Sequence, residues 1–470
     1  MQIPEKIVIS ELKHEVGSDT VLTEKEELIP YMNDASYIKG KMPIAVCLPK
    51  NADEISKILA ICNKYKINVT ARSGGTSLTG SSVESFNGVV ISTMNLNKIL
   101  DMDLSSRYVV CEPGVRIDIL NSELKKYNFF YPPDPASSRS STIGGSLSTN
   151  AGGLRAVKYG ATKEWVLGME VVLPTGEIIR TGEYTLKRSA GYDLTALLIG
   201  SEGTLGIITK AILKIEPLPE ATAKIIGFYR DIISVGKSMD TIKSHGITPI
   251  IAEFMDHETI NSIKKDMNLE IPEYTKYLLM VDIDSPPEAL ERKLASAKDI
   301  MEQFSNDVTI IRDQKRMDEI YAARKSTYAA LLGQRENNNQ LIVIGDVIVP
   351  SSHLAETLTE IDEFVKKNGL KTTLLGHIGD GNIHANIFMD NTEEGRKKMA
   401  KLQMDIAGVA IRHNGSVSAE HGIGTEKNEL LYEEYKQRNS LYTLEVMRMI
   451  KKAFDPNNIL NRGKIFYEPD

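Results

Sequence analysis

Four side chains in the C-terminal third of the chain have the types and spacing to bind a metal ion and accept a proton. His377 and His384 flank a glycine-containing turn, and Glu420 and His421 follow further along. The chain has 8 histidines in 470 residues, so the presence of three in this group is notable. Two imidazoles and a carboxylate commonly bind a catalytic divalent cation with open coordination positions. The pattern predicts His377, His384 and Glu420 as metal ligands, and His421 is then placed to act as a base.

Each of these residues has an ordinary structural alternative, namely a buried and hydrogen-bonded polar side chain. The clustering of all four favours a functional site. Polar and apolar residues alternate from His384 to Ile387, which predicts a strand with one buried face. On such a strand His384 and Asn386 point to the same side.

Composition indicates a globular protein of two or three domains, with 41% hydrophobic and 25% charged residues. The 56 basic and 63 acidic residues give a net charge of -7 without a basic block, which argues against a nucleic-acid partner. The three cysteines, Cys47, Cys62 and Cys111, are too far apart for an iron–sulfur or zinc motif. The first residues lack a signal peptide's apolar core, and no apolar run is long enough to cross a bilayer. The sequence therefore predicts a cytoplasmic protein without a membrane span.

Glycine-rich segments occur at residues 72–80, 142–153 and 200–206. Backbone amides in such turns can converge on an anion, and glycine reaches the required positive φ without strain. Several of them predict a long phosphate-bearing ligand. A dinucleotide fingerprint is not supported, because its closest match has His384 at the third glycine position. A P-loop is not supported either, because Asp231 stands where its first glycine is needed.

These segments, together with residues 132–135 and 203–209, resemble the FAD contacts of the vanillyl-alcohol oxidase and p-cresol methylhydroxylase superfamily. The histidine group and Asn386 resemble the substrate and metal residues of its branch acting on (R)-2-hydroxy acids. That branch includes D-lactate dehydrogenase, D-2-hydroxyglutarate dehydrogenase and the D subunit of glycolate oxidase. The resemblance implies FAD contacts at Arg72, Ser73, Gly74, Gly75, Thr76, Ser77, Pro133, Asp134, Thr142, Gly145, Ser148, Asn150, Gly153, Glu202, Gly203, Ile208 and Asn461.

The resemblance also implies an α+β fold, with a two-part FAD-binding domain of the p-cresol methylhydroxylase type and an antiparallel-sheet cap domain. The proline-rich stretch at residues 216–220 predicts the boundary between them. The expected divisions are a leader segment, the FAD-binding domain, the substrate or cap domain, and a C-terminal segment that returns to the flavin. They span residues 1–36, 37–217, 218–412 and 413–470.

The activity implied is FAD- and metal-dependent oxidation of D-lactate, or a similar small (R)-2-hydroxy acid, to the 2-oxo acid by hydride transfer to flavin N5. Zn, Mn or Fe is the expected metal. Arg324 would bind the substrate carboxylate with two parallel hydrogen bonds, and Asn386 would orient the substrate. The alternatives are a solvated helix arginine for Arg324 and a satisfied sheet edge for Asn386. Glu420 could instead fix the tautomer of His421.

Three departures from relatives bear on these expectations. Members with covalent FAD often have histidine where this chain has Thr76, so dissociable FAD is predicted. The 2-hydroxyglutarate relatives have lysine where this chain has Ile344, which argues against a substrate with a second carboxylate. The family's usual Asn-Pro-Gly-Lys is Asn461-Arg462-Gly463-Lys464 here.

Other functions remain open at this point. The chain could be the catalytic subunit of a glycolate oxidase, a D-2-hydroxyglutarate dehydrogenase, or a non-catalytic flavoprotein that kept the fold. Because the chain has no cluster or haem motif, its electrons are expected to pass to a partner protein. Electron-transfer flavoprotein is the leading candidate, and a quinone or an iron–sulfur subunit is the alternative.

Overall fold

A computed structural model describes residues 5–467. They form two compact units. Among the described residues, the first contains 5–151, Ala161–Pro217 and 420–467, and the second contains Gly152–Gly160 and Leu218–Ala419. The predicted mixture of helix and sheet, with a separate antiparallel-sheet domain, is confirmed.

The first unit begins with a small, mostly parallel sheet. Its strands, in the spatial order β1-β2-β4-β3, are β1 (Val21–Leu22), β2 (Ala45–Cys47), β3 (Val69–Arg72) and β4 (Val89–Ser92). Strands β2 and β4 are short and buried throughout, as inner strands of such a sheet require, and β4 is rich in β-branched residues. Helices Glu5–Val16 and Ala52–Tyr65 contribute their apolar faces to the core of this sheet.

A second, antiparallel sheet completes the core of the first unit. Its order is β5-β6-β10-β8-β9, and a separate pair joins β7 to β11. The strands are β5 (Ile99–Asp103), β6 (Tyr108–Cys111), β7 (Phe129–Phe130), β8 (Val166–Val172), β9 (Ile178–Gly182), β10 (Ile207–Lys214) and β11 (Glu216–Pro217). The remaining α-helices of this unit are Lys25–Leu28, Ile117–Lys125, Ile143–Thr149, Leu194–Leu198, Asn428–Gln437 and Leu441–Phe454. Short 3-10 helices are Ser18–Thr20, Ile29–Met32, Thr93–Asn95 and Thr162–Trp165.

The second unit is built on one antiparallel sheet in the order β15-β12-β14-β13-β18-β19-β16, with β17 also paired to β19. Its strands are β12 (Ala221–Tyr229), β13 (Ile251–Asp256), β14 (Tyr277–Ser285), β15 (Asp307–Ile311), β16 (Gln340–Ile344), β17 (Val347–Ile348), β18 (Thr372–Gly376) and β19 (Asn382–Asp390). Its helices are Ala156–Tyr159, Ile232–Ser244, His257–Met267, Pro287–Met301, Gln314–Lys325, Thr327–Leu332, Leu354–Asn368 and Glu393–Arg412, with a 3-10 helix at Ser351–His353.

Two short segments, residues 413–419 and 152–160, are assigned to the second unit by their contacts. Residues 413–419 belong to the second unit, where Ser416 pairs through its backbone with Ile348 of β17. Residues 152–160 also belong there, since Leu154 packs against Ile250 and Ile251.

The C-terminal segment returns to β3 within the first unit. The Val69 amide donates to the Ile459 carbonyl at 2.7 Å, and the Asn461 amide donates to the Val69 carbonyl at 2.8 Å. The segment thereby continues the edge of the parallel sheet. Among residues 5–467, no helix has both the length and the apolar composition needed to span a membrane.

Candidate active site

Two of the predicted metal ligands lie side by side in the second unit. His377 directly follows β18, and His384 is in the paired strand β19. Both rings are buried, with centroids 5.3 Å apart and planes nearly perpendicular. Each ring offers a nitrogen within 4.8 Å of one on the other. The antiparallel turn between the two strands thus brings the two imidazoles together.

Hydrogen bonds fix the tautomers of both rings. His377 Nδ1 lies 2.5 Å from Glu253 Oε1, and His384 Nδ1 lies 3.1 Å from the Gly345 carbonyl oxygen. A carbonyl oxygen and an ionised carboxylate can only accept, so Nδ1 carries the proton in each ring. Nε2 is then the basic nitrogen of each imidazole, which is how metal-binding histidines are usually oriented.

Glu253 links His377 to Arg324. It stands in the middle of β13 and is fully buried, with Oε2 2.6 Å from Nη2 of Arg324. Arg324, from helix Gln314–Lys325, is only 4% exposed. Despite this close contact, its Nε and Nη2 groups have no well-aligned hydrogen-bond acceptor among the described residues. A buried guanidinium with unused N–H donors is suited to a small anion.

A second buried carboxylate, Asp346, supports the other end of the pair. Its Oδ1 accepts from Asn382 Nδ2 at 2.9 Å and lies 3.9 Å from His384 Nδ1. Its Oδ2 accepts from Ser418 Oγ at 2.9 Å and from the Ala419 amide at 3.1 Å. Asp346 therefore ties the strand of His384 to the end of the second unit's chain.

Asn386 lies two residues after His384 on β19 and donates from Nδ2 to Thr373 Oγ1 at 3.1 Å. The prediction that β19 has one buried face is wrong, because every residue from Asn382 to Met389 is buried. The strand lies inside the sheet between β18 and β16, so neither edge of it is open. The side-chain amide of Asn386 thus provides a hydrogen-bond donor for the buried Thr373 hydroxyl on the neighbouring strand β18.

In the first unit, the glycine loop after β3 meets the start of helix Ile143–Thr149. Thr142 caps this helix by accepting from the Gly145 amide, and its hydroxyl donates to Ser73 Oγ at 2.7 Å. A Cβ on Gly74 would lie 2.6 Å from the Ser140 carbonyl oxygen, and Gly75 has φ of 66°. Only glycine at these two positions allows the loops to approach so closely. Amides at a loop and a helix N-terminus suit the phosphates of a dinucleotide.

Glu202 performs a role that the sequence did not indicate. Its carboxylate is buried and accepts from the amides of Ile423 at 2.7 Å and Gly424 at 2.8 Å. Burial raises the pKa of Glu202 to about 7, although these two hydrogen bonds oppose the rise. Its backbone nitrogen donates to the Ser148 carbonyl at 2.8 Å, so the residue joins the loop after His421 to the helix of the second glycine segment.

Glu420 and His421 lie in the first unit, together with every predicted FAD contact except Gly153. Their side chains are each 14% exposed, and His421 Nε2 is 3.4 Å from Glu420 Oε1. The Thr79 hydroxyl donates to the His421 carbonyl at 3.4 Å, and the Thr79 carbonyl accepts from the Thr425 amide at 2.9 Å. The backbone of this dyad is thus packed against the first glycine loop.

The C-terminal Asn461-Arg462-Gly463-Lys464 segment packs against the first glycine loop and Glu202. Asn461 accepts from the Ala71 amide at 3.0 Å and donates to the Glu202 carbonyl at 2.5 Å. Lys464 is buried and donates to the Gly80 and Val83 carbonyls and to two hydroxyls, including that of Thr425. Burial lowers the pKa of Lys464 to about 8. With Arg462 in place of the family's usual proline, Asn461 and Lys464 still hold this loop by hydrogen bonds.

The other predicted FAD contacts are distributed unevenly. Gly153 is in the second unit, and the others are in the first. Those not yet placed are Arg72 at the end of β3, Thr76 and Ser77 in the first loop, Pro133 and Asp134 in a buried stretch, Ser148 in helix Ile143–Thr149, Asn150 as its left-handed cap, Gly203 with φ of 70°, and Ile208 in β10.

Comparison with known proteins shows the family. A domain described as "FAD binding domain" matches residues 43–182, and "FAD linked oxidases, C-terminal domain" matches residues 218–465. The chain is 35% identical to glycolate oxidase subunit GlcD of Bacillus subtilis over 441 residues, covering 93% of this chain and 92% of that protein. It is also 35% identical to D-lactate dehydrogenase of Anaerostipes hadrus over 465 residues, covering 97% and 96%. Among solved structures, substrate-bound p-cresol methylhydroxylase has a TM-score of 0.81 at 16% identity, covering 99% of this chain and 97% of that one.

The chain belongs to the FAD-linked oxidase family, with a p-cresol methylhydroxylase-type fold. Within that family it is an FAD-binding oxidoreductase of the D-lactate dehydrogenase and glycolate oxidase GlcD type. The resemblance that the sequence motifs indicated is confirmed at this level.

Glu253 and Asp346, which contact His377 and His384, were not predicted from the sequence as site residues. Glu253 had one detectable signal, since it is the only charged residue between Ile250 and Met255. A lone carboxylate in an apolar strand usually has a buried partner. That signal does not identify the partner, because His377 is 124 positions away.

Proposed function

We propose that the protein oxidises D-lactate, or a similarly small (R)-2-hydroxy acid, to the 2-oxo acid. The observation that carries the proposal is the buried arrangement of His377, Glu253 and Arg324 in the sheet unit of an FAD-binding chain. It combines a basic imidazole nitrogen with a guanidinium whose N–H donors suit a carboxylate. FAD, when bound, supplies the N5 atom that accepts a hydride.

We further propose that His377 and His384 hold a divalent cation through Nε2. Their fit rests on two nearby imidazoles whose Nδ1 protons are both donated to buried acceptors. A divalent cation supplies positive charge that favours ionisation of an adjacent hydroxyl. Glu420 as a third ligand and His421 as the base stay predictions from the sequence.

Arg324 is proposed to bind the substrate carboxylate. Its ion pair with Glu253 runs through Nη2, which lies 2.6 Å from Oε2, while Nε has no hydrogen-bond acceptor among the described residues. The guanidinium has five N–H donors, so it can serve Glu253 and a substrate carboxylate together. Asn386 would orient the substrate through its amide oxygen, since its Nδ2 is bound to Thr373.

A small monocarboxylate is favoured by the residue at position 344. Ile344 pairs with Asn386 across β16 and β19, where a lysine would offer a positive charge to a second carboxylate. An isoleucine offers none, which disfavours D-2-hydroxyglutarate. Glycolate remains the second candidate, because the similarity to GlcD equals that to D-lactate dehydrogenase.

The electrons are proposed to leave through a partner protein, with electron-transfer flavoprotein as the candidate. The three thiols are buried in the core, and burial raises the pKa of Cys47 and of Cys111 to about 12. Such thiols remain protonated at neutral pH and are poor redox or cluster ligands.

The test is to reduce the bound flavin with substrate under anaerobic conditions and to measure the loss of flavin absorbance over time. D-lactate should bleach the flavin faster than L-lactate, glycolate or D-2-hydroxyglutarate at equal concentration. Faster bleaching by glycolate would show that glycolate, and not D-lactate, is the substrate. No bleaching by any of the four compounds would reject the proposed class of reaction.

A further inference from the structure

A second group of metal-ligand side chains lies on the surface of the second unit. His353 ends the 3-10 helix Ser351–His353, and Glu356 lies in the first turn of the next helix, Leu354–Asn368. His413 follows helix Glu393–Arg412 directly. None of these residues belongs to the His377 and His384 pair. The group joins the start of one helix to the end of another.

The donor atoms of this group converge. His353 Nδ1 lies 3.6 Å from Glu356 Oε2, and His413 Nδ1 lies 3.9 Å from the same oxygen. All three residues offer a ligand atom within 4.8 Å of the others. In a tetrahedral site with bonds of about 2.0–2.1 Å, ligand atoms are roughly 3.3 Å apart. The two distances from Glu356 to the histidines exceed this by a few tenths of an ångström, and the largely exposed Glu356 side chain can move to close the difference.

A fourth residue, Glu360, orients His413 for this role. His413 Nε2 lies 2.7 Å from Glu360 Oε1, and Arg412 Nη2 donates to Oε2 at 2.7 Å. Both carboxylate oxygens of Glu360 are therefore occupied as acceptors. Nε2 therefore carries the proton, and Nδ1 becomes the basic nitrogen facing Glu356. A carboxylate behind a histidine is the usual supporting arrangement at protein zinc sites.

We propose that His353, Glu356 and His413 bind Zn²⁺ as a structural clip between the two helices. Two imidazoles and one carboxylate leave a fourth position for water. Binding only to the folded protein would stabilise this part of the second unit by mass action. The site is independent of the proposed oxidation of a 2-hydroxy acid.

An ordinary surface ion-pair network is the alternative explanation. It accounts for the contacts of Glu360 with Arg412 and His413. In such a network, the contact of His413 Nδ1 with Glu356 would require a second proton on a ring whose Nε2 already donates to Glu360. The two explanations differ in their response to zinc.

The experiment uses the full-length, FAD-loaded protein, stripped with a chelator, incubated with zinc chloride and desalted. Bound zinc per chain is measured by mass spectrometry of the metal in wild type and in His353→Ala, Glu356→Gln and His413→Ala. His245→Ala is the matched control, because His245 is an exposed histidine just after another helix of the same unit. Flavin absorbance reports whether each variant is folded.

Wild type and His245→Ala should each retain one more Zn²⁺ per chain than the three cluster variants. The shift of the thermal midpoint on adding zinc should shrink in the same three variants. Glu360→Gln should weaken zinc binding about 10- to 100-fold while the stoichiometry at saturation is kept. Equal zinc content in the control, in His353→Ala and in Glu356→Gln overturns the proposal.

Discussion

Glu253 Oε1 lies 2.5 Å from Nδ1 of His377, in the buried interior of the second unit. The same carboxylate forms the ion pair with Arg324, so one acid orients both an imidazole and a guanidinium. Its two partners are far apart in sequence: the antiparallel pairing of β13 with β18 brings His377 to Glu253, and helix Gln314–Lys325 brings Arg324. Glu253 is therefore the residue on which the geometry of the candidate site depends most.

Replacing Glu253 with glutamine should weaken metal binding at His377 and His384 about 10- to 100-fold, because the amide is a poorer acceptor for the Nδ1 proton. It also leaves Arg324 without a charged partner, which should lower the free energy of unfolding by about 3 kcal/mol. Metal titration of the stripped protein and denaturant unfolding measure the two effects. Glu253→Asp, which keeps the charge, should lose less metal affinity. Unchanged affinity in the glutamine variant would show that Glu253 does not support a ligand.

Replacing Arg324 with lysine should raise the D-lactate concentration for half-maximal flavin reduction about 10- to 100-fold. Lysine keeps the charge beside Glu253 but cannot form two parallel hydrogen bonds with a carboxylate. Each hydrogen bond to a charged group contributes about 1.5–3 kcal/mol, which is the source of this range. Anaerobic stopped-flow traces supply the measurement, with Lys325→Gln as the neighbouring control. Equal concentration dependence in both variants and wild type would remove Arg324 from the substrate site.

Glu202→Gln should alter how stability depends on pH. The unfolded carboxyl has a pKa of 4.5, and burial raises the folded value to about 7. Between these values the folded chain keeps a proton that the unfolded chain has lost, so the stability of wild type falls as pH rises. From pH 5 to 7 the loss should be about 2 kcal/mol relative to the neutral variant.

Denaturant unfolding at several pH values tests this difference, with Glu183→Gln as an exposed control in the same unit. Parallel curves for wild type and Glu202→Gln across this window would mean that the Glu202 carboxyl is not the titrating group.

FAD should dissociate when the protein is precipitated with acid. Thr76, whose hydroxyl lies 3.2 Å from Ser141 Oγ, stands where covalent relatives have a histidine nucleophile. A threonine hydroxyl has no comparable nucleophilicity toward the flavin. The yellow colour should remain in the supernatant, and a yellow pellet after washing would indicate a covalent bond formed by another residue.

The fold was predicted from the resemblance of several motifs to a known family, whereas individual loops and strands were predicted from local signals. Glycine spacing placed the loops around Gly74 and Gly203, and alternation from His384 to Ile387 placed a strand. Burial of β19 on both faces was not predictable, since it depends on covering elements remote in sequence. The same holds for Glu202, whose carboxylate binds amides 221 and 222 positions away. Residue type indicates that a buried acid needs partners, while only the tertiary structure identifies them.

The most direct test of the account is metal removal followed by reduction with D-lactate. The His413→Ala protein is suitable because it lacks a ligand of the surface cluster, so its remaining metal reports on His377 and His384. After chelation, its FAD should stay bound but no longer be bleached by D-lactate, and Zn, Mn or Fe should restore bleaching. Bleaching at the original rate, after verified loss of all metal, would contradict a metal role for the two histidines.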